Sequence, residues 1–379
     1  MFITNLPYRH SAKFGVSLAR WHPYSSPETR SPASSGHMDM QPPREAGGTD
    51  ASAAPSEPIG YTLVSATDAD ELTHDVGDWN FEFMQLSSGK FRAGGAMLQL
   101  DGVSIARVSM ERTLLQRGFA ARGTFAVFIP GVGSGPIYAQ GQLVETGQCA
   151  TLMEGAQLEA ISHEGYMDVC FGLDLAACRP QLEALTGGSV SFARGACIAA
   201  PGPTWTNDML GRVDWLLTAV MEHPQWLDDH RLRASLTDHA LAAMVRFDNS
   251  PADVDATTRS ARAGRRVAVR LARDFIHSRL SEPLRLSELC RHADLKIRSL
   301  EYGFREVTGL TPVAYIRSLR LNAVRSALQQ KTSGPQRSIS EIAMDVGFWH
   351  LSQFAGDYRR FFGETPTETR RLARSRTLF

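Results

Sequence analysis

Two short stretches of this 379-residue chain gather side chains able to read a surface of hydrogen-bond donors and acceptors. Lys296, Arg298, Ser299, Glu301, Tyr302 and Arg305 lie in the first; Trp349, His350, Leu351, Ser352, Gln353, Gly356, Arg359 and Arg360 lie in the second. The guanidinium of Arg298 is a rigid fork matched to the O6 and N7 acceptors of guanine, and the Glu301 carboxylate could accept from a cytosine amino group. Gln353 can pair with an adenine edge, and Trp349 and Leu351 could pack on thymine methyls or sugars. Arg359 and Arg360 suit phosphate oxygens, contacts that position a protein on a duplex without carrying sequence information. Glu301 has a second option, since Arg298 and Arg305 lie at ion-pairing separation from it on a helix.

Such side chains are of use only if the chain presents them on a stiff support, and the surrounding sequence writes that support twice. From Ser287 it reads SELCRHADLKIRSLEYGFREVTGLTP, and from Ser340 it reads SEIAMDVGFWHLSQFAGDYRRFFGETP. Ser287 and Ser340, each followed by glutamate, are cap signals for a short helix. A break follows at Asp294 and at Gly347, where the chain needs the left-handed backbone that glycine adopts freely and aspartate tolerates. Leu300, Phe304 and Val307 in one copy, and Phe354, Tyr358 and Phe361 in the other, recur at helical steps and predict one buried stripe per second helix. Gly309 and Gly363 stop those helices, and Thr311-Pro312 and Thr365-Pro366 begin new ones. Helix, tight turn and amphipathic helix is the helix-turn-helix pattern, whose second helix enters a DNA major groove.

The helix from Thr311 to about Gln330 joins the copies, with Val313, Ile316, Leu319, Leu321, Val324 and Leu328 spread around it for contact with both. A fixed spacer lets one chain set two reading helices about one DNA turn apart, ~34 Å. Charge agrees. The chain is neutral, with 40 Lys+Arg against 40 Asp+Glu, yet residues 261–379 hold 22 basic and 11 acidic side chains. The basic region is the one expected to meet phosphate.

Residues 265–371 resemble the DNA-binding domain of AraC/XylS-type bacterial transcription regulators. The resemblance is carried by Ile342, Ala343, Gly347, Phe348, Ser352, Phe354, Tyr358, Arg359, Phe362, Gly363, Thr365 and Pro366. The run from Gly347 to Phe354 is also similar to regulators of ethanolamine utilisation. The resemblance implies promoter DNA as partner, a small-molecule effector, a homodimer, a cupin-like barrel as effector domain, and RNA polymerase as a further partner if the mode is activation. Nothing in the residues separates activation from repression.

The expected architecture is therefore α+β: an N-terminal cupin-like β-barrel or jelly roll with a helix pair, then an all-α domain of two helix-turn-helix units joined by a long helix. Residues 1–58, rich in Pro, Ser, Gly and Ala, read as a disordered extension. They are also loosely like a targeting peptide in their basic first part, and translation could instead start at Met38 or Met40. Residues 59–182 carry short apolar or alternating runs, at Asn80–Leu86, Met97–Leu100, Val103–Met110, Phe125–Ile129, Ala150–Met153 and Tyr166–Phe171, that predict strands. Gly131 to Gly135 lacks the spacing of a phosphate loop and reads as a turn. Residues 183–248 predict two helices broken at His223-Pro224, for dimerisation or for packing on the barrel. Residues 249–264 predict a linker and hinge, and residues 372–379 a basic tail.

Other chemistries find little support. Five cysteines, Cys149, Cys170, Cys178, Cys197 and Cys290, form an odd set without a CxxC pair, which points to a reducing cytoplasm and away from a zinc framework. His74 and His163 are too far apart for a paired-histidine metal motif, and no cysteine stands in a Pro-Cys-His context. The sequence proposes no catalytic residues, metal, cofactor or membrane span. A constitutive or architectural DNA binder is the alternative to effector control, and an enzyme built on the β domain the remote one.

Overall fold

Residues 59–75, 80–192, 194–247, 256–330 and 337–375 are described by a computed structural model of the chain. The expected extension 1–58 lies outside the described residues. The N-terminal part runs β1 (Gly60–Ala66), α1 (Ala69–Asp75), β2 (Asn80–Gln85), β3 (Ala93–Gln99), β4 (Val103–Met110), β5 (Leu114–Phe119) and β6 (Thr124–Pro130). It continues with β7 (Ile137–Ala139), β8 (Gln142–Leu143), β9 (Cys149–Met153), β10 (Gln157–Ser162), β11 (Tyr166–Asp174), α2 (Leu175–Thr186) and β12 (Ala196–Ala199). One sheet has the order β1-β3-β4-β11-β6-β9-β12 and the other β2-β5-β10-β7-β8, with antiparallel pairs throughout.

Neither sheet closes. The edge strands β1 and β12 do not pair with each other, nor do β2 and β8, so the expected barrel or jelly roll is corrected to two open antiparallel sheets. Alternation in the sequence specifies strands, whereas closure depends on stagger and on what covers the edges. Here the edge of β2 is met by a helix of the C-terminal domain.

The longer sheet is buried on both faces. Val103, Ile105, Phe125, Val127, Phe171 and Leu173 pack with helices, while Met110, Ala150, Leu152 and Tyr166 share a core with Phe81, Phe83, Leu114 and Leu158 of the shorter sheet. Strands buried on both faces read as continuous apolar runs, which explains the run from Phe125 to Ile129 in β6. The helices over that sheet are α2, α3 (Pro203–Glu222) and α4 (His230–Ala242), the last two separated by a 3-10 turn at Pro224–Leu227 as the His223-Pro224 break predicts. Met209, Val213, Leu216, Leu217 and Val220 of α3 point into this core, together with Leu236, Ala240 and Leu241 of α4.

The C-terminal part comprises α5 (Ala256–Ser278), α6 (Leu286–His292), α7 (Ile297–Thr308), α8 (Pro312–Gln329), α9 (Ile339–Asp345), α10 (Leu351–Phe362) and α11 (Pro366–Ser375). The stretch expected as a hinge is helical from Ala256 onward, and α11 runs into the expected basic tail. Helix α8 belongs to two cores at once. Tyr315, Ile316 and Leu319 pack with Val269, Ala272, Leu300 and Phe304, whereas Leu321, Val324 and Leu328 pack with Ile342, Phe354, Tyr358 and Phe361. Val313, assigned to the same set by sequence, is 63% exposed instead.

Candidate nucleic-acid interface

The helix that precedes each reading helix is set by its cap. In the second unit Ser338, not Ser340, is the cap: its Oγ accepts from the Glu341 amide at 3.1 Å, and Glu341 Oε2 accepts from the Ser338 amide at 2.7 Å. The first unit starts at Arg285, not Ser287, whose amide donates to Glu288 at 3.0 Å. A glutamate three residues into a helix fixes the cap by reaching back, so the true register is two residues earlier than a Ser-Glu reading gives. The turns then behave as their residues require. Asp294 has φ 49° and Gly347 φ 91°, and Gly309 and Gly363 end α7 and α10 at φ 72° and 74°.

On α7, Leu300, Phe304 and Val307 are buried; on α10, Phe354, Tyr358 and Phe361 are buried. Full burial of each such side chain is worth about 1.5–3 kcal/mol, enough to fix which face of the helix looks outward. Lys296, Arg298, Tyr302 and Arg305 emerge on the outward face of the first unit, with Ser299 and Glu301 half-buried beside them. Among the described residues no ion pair involves Arg298, Glu301 or Arg305. Tyr302 lies under the Arg265 guanidinium, 4.9 Å from its ring centre, which ties its ring to α5.

In the second unit Trp349, at 66% exposure, stands out with His350, Ser352, Gln353, Gly356, Arg359 and Arg360. Leu351 is different, for it packs against the core of its unit. Arg360 pairs with the buried Asp357, which also pairs with Arg317 of α8. That pairing tethers Arg360 at one end while its side chain stays 74% exposed.

Sequence reasoning missed the residue that locks the two units together. Arg320 of α8 donates from Nε to the Leu280 carbonyl at 3.0 Å and from Nη2 to the Glu282 carbonyl at 2.6 Å, both just after α5. Its Nη1 reaches the Gly347 carbonyl, in the turn of the second unit, at 3.4 Å. A Cβ on Gly347 would stand 2.9 Å from the Arg320 Cζ, so this glycine supplies room as well as positive φ. The available signal was a set of polar residues, Arg317, Arg320, Asn322 and Arg325, on a helix expected to be contacted from both sides.

Residues 289–372 match a helix-turn-helix domain family. Over 95 residues the chain is 42% identical to "XylDLEGF operon transcriptional activator 2" of Pseudomonas putida, covering 25% of this chain and 60% of that protein. It is 33% identical over 100 residues to "Probable thc operon regulatory protein" of Rhodococcus erythropolis, covering 26% of this chain and 30% of that one. The chain thus spans less than two thirds of these relatives' length. A solved AraC-type transcriptional regulator from Chromobacterium violaceum is 31% identical, with a TM-score of 0.27, over 29% of this chain and 96% of that one. Among the described residues no helix is long and apolar enough to cross a membrane, and no group of three or more His, Cys, Asp or Glu could hold a metal ion. The paired units, their caps and turns and the family match together identify residues 289–372 as a helix-turn-helix domain, similar in sequence to the operon regulators named above.

Proposed function

We propose that the whole chain is an effector-controlled regulator that binds promoter DNA as a homodimer, each chain setting α7 and α10 into successive major grooves. The observation that carries this reading is α8, which is core to the first unit along its N-terminal half and to the second along its C-terminal half, while both reading faces stay open. Arg298, Glu301 and Gln353 are the base readers in this proposal, Lys296, Arg305 and Arg359 the phosphate contacts. The two-sheet domain is the part left to sense a small molecule. Trp215, Met221 and Leu232, exposed on α3, its C-terminal end and α4, support a dimer face there. Activation follows the names of the Pseudomonas putida relatives, and RNA polymerase is the partner that mode would need.

Selection of duplexes from a random library by the full-length chain tests the reading. Enriched sequences should carry paired half-sites roughly 10–10.5 base pairs apart, centre to centre. Enrichment of no sequence would overturn sequence-specific reading, and affinity indifferent to every candidate metabolite would favour the constitutive binder. Sedimentation equilibrium should give the mass of two chains; a single-chain mass at micromolar concentration would remove the dimer.

A further inference from the structure

Among the described residues the two-sheet domain meets the helical domain at several polar points and across one apolar face. At the free edge of β2, Asn322 of α8 stands where a neighbouring strand would. Its Oδ1 accepts from the Gln85 amide at 3.2 Å and its Nδ2 donates to the Gln85 carbonyl at 2.7 Å. The Gln85 side chain, 2% exposed, donates to the Phe361 carbonyl at the end of α10, and the Gly89 amide donates to the same oxygen at 2.8 Å. Asp68, 5% exposed, accepts from Arg325 Nε at 2.8 Å, from Arg325 Nη2 at 2.5 Å and from Gln329 at 2.6 Å. Glu159 of β10 forms ion pairs with Arg273 of α5 and Arg117 of β5, both at 2.8 Å. Between these points Leu86, Leu115 and Ile161 share one core with Val269, Ala272, Ile276 and Leu319.

These contacts reach the first unit through α5, the second through the end of α10, and the shared helix α8 between them. None of these contacts is made by a candidate reading residue. Among the described residues no hydrogen bond or ion pair joins the two-sheet domain to any of the fourteen candidate DNA-contact residues. Two of that domain's buried carboxylates, Asp68 and Glu159, pair with Arg325 and Arg273, neither of which is a candidate DNA contact, so those charges do not mask the reading faces.

We propose that the two-sheet domain braces DNA reading: Gln85, Asp68 and Glu159 act through Asn322, Arg325 and Arg273 as positioning residues that hold both helix-turn-helix units at the separation two half-sites require. The inference rests on the DNA-reading function proposed above. When two binding elements are tethered, the second binds at an effective concentration set by how well the tether matches the span. Arg320 locks the turn of the second unit, and the sheet locks the far end of α10 and the body of α5. Releasing the brace keeps each reading helix intact but broadens the distance and angle between them.

The test uses the full-length chain and the duplex it selects. A double variant, Asp68→Asn with Glu159→Gln, keeps the shape and removes the buried charges. It should bind two-half-site DNA about tenfold more weakly while one-half-site affinity changes less than about twofold. Its preference for the native spacing over a spacing longer by one base pair should also flatten. Asn322→Ala should act in the same direction, and Asp68→Glu, which keeps the charge, should lose much less than Asp68→Asn. Tighter binding by the double variant would make the interface a mask and overturn the brace. Equal losses on one and two half-sites, or no loss on either, would overturn it as well. One-half-site affinity and a cooperative circular-dichroism melt report that the variants are folded. Wild-type protein that fails to prefer its selected duplex over random DNA would defeat the DNA-reading function itself, a result distinct from any of these.

Discussion

At the scale of single residues, the reading face depends on which side chains are left free. Arg298 is exposed on α7 and takes part in no ion pair among the described residues, so its five donors remain for a ligand. Arg298→Ala should weaken specific binding by ~1–3 kcal/mol and relax preference at one base pair, as read by competition with single-base-pair variants of the selected duplex. Equal weakening on random DNA would reassign Arg298 to the phosphate backbone. Tyr302 and Arg360 were legible as polar surface but not as tethered groups, because Arg265 and Asp357 approach them from other parts of the fold. Leu351 was counted as surface although it packs inward, since the first turn of a short helix gives too few residues to define a stripe.

At the scale of elements, the glycine stops and the Thr-Pro starts were readable because they act locally, whereas the Ser-Glu caps of α6 and α9 were read two residues late. Gly309, Gly363, Thr311-Pro312 and Thr365-Pro366 each do what their own backbone chemistry dictates, and the left-handed φ of Asp294 and Gly347 follows from the same local need. Arg320 was not readable in this way. Its three carbonyl partners come from two separate stretches, after α5 and in the turn before α10. Arg320→Leu should lower the unfolding free energy by about 2–3 kcal/mol, because charge-assisted hydrogen bonds are lost and carbonyls are left poorly paired. Arg320→Lys should recover only a minority of it, since a point-charge ammonium cannot span three carbonyls set for a planar fork. Urea denaturation of the full-length variants checks both; full rescue by lysine would show that charge alone matters.

At the scale of the whole molecule, buried titratable groups give a pH signature. Burial between the sheets raises the Asp168 carboxyl to about 7, and burial followed by the nearby Asp68 charge raises Asp70 to about 7. His277 moves the other way: burial, then Arg117 and Arg273, hold its imidazole well below the usual histidine range. For the two aspartates the folded value lies above the unfolded one, so their contribution is fully present below about pH 4 and is lost as pH rises through about 7. For His277 the folded value is depressed, so its contribution is present above about pH 6.5 and is lost as pH falls below it. Asp168→Asn should therefore gain on wild type as pH rises from about 4 to 7, by up to roughly 1.4 kcal/mol per pH unit where the titration is steepest. Thermal melts across that range measure the difference; a difference independent of pH would place Asp168 in contact with solvent.

The sequence by itself determined the duplicated helix-turn-helix units, the helix between them and the apolar stripes that turn most of the candidate reading residues outward, Leu351 excepted. Each of these follows from contacts within a few turns of helix, where 3.6-residue periodicity, caps and glycines act directly. It also marked six of the strands, at positions now occupied by β2, β3, β4, β6, β9 and β11. The tertiary structure decided the rest. It left the sheets open where a barrel was expected, and it set Asn322 against the edge of β2. It also paired Asp68 with Arg325, residues 257 positions apart in the chain. Neither partner of such a pair carries a local signal of the other, because the energy that joins them exists only once both are removed from water together.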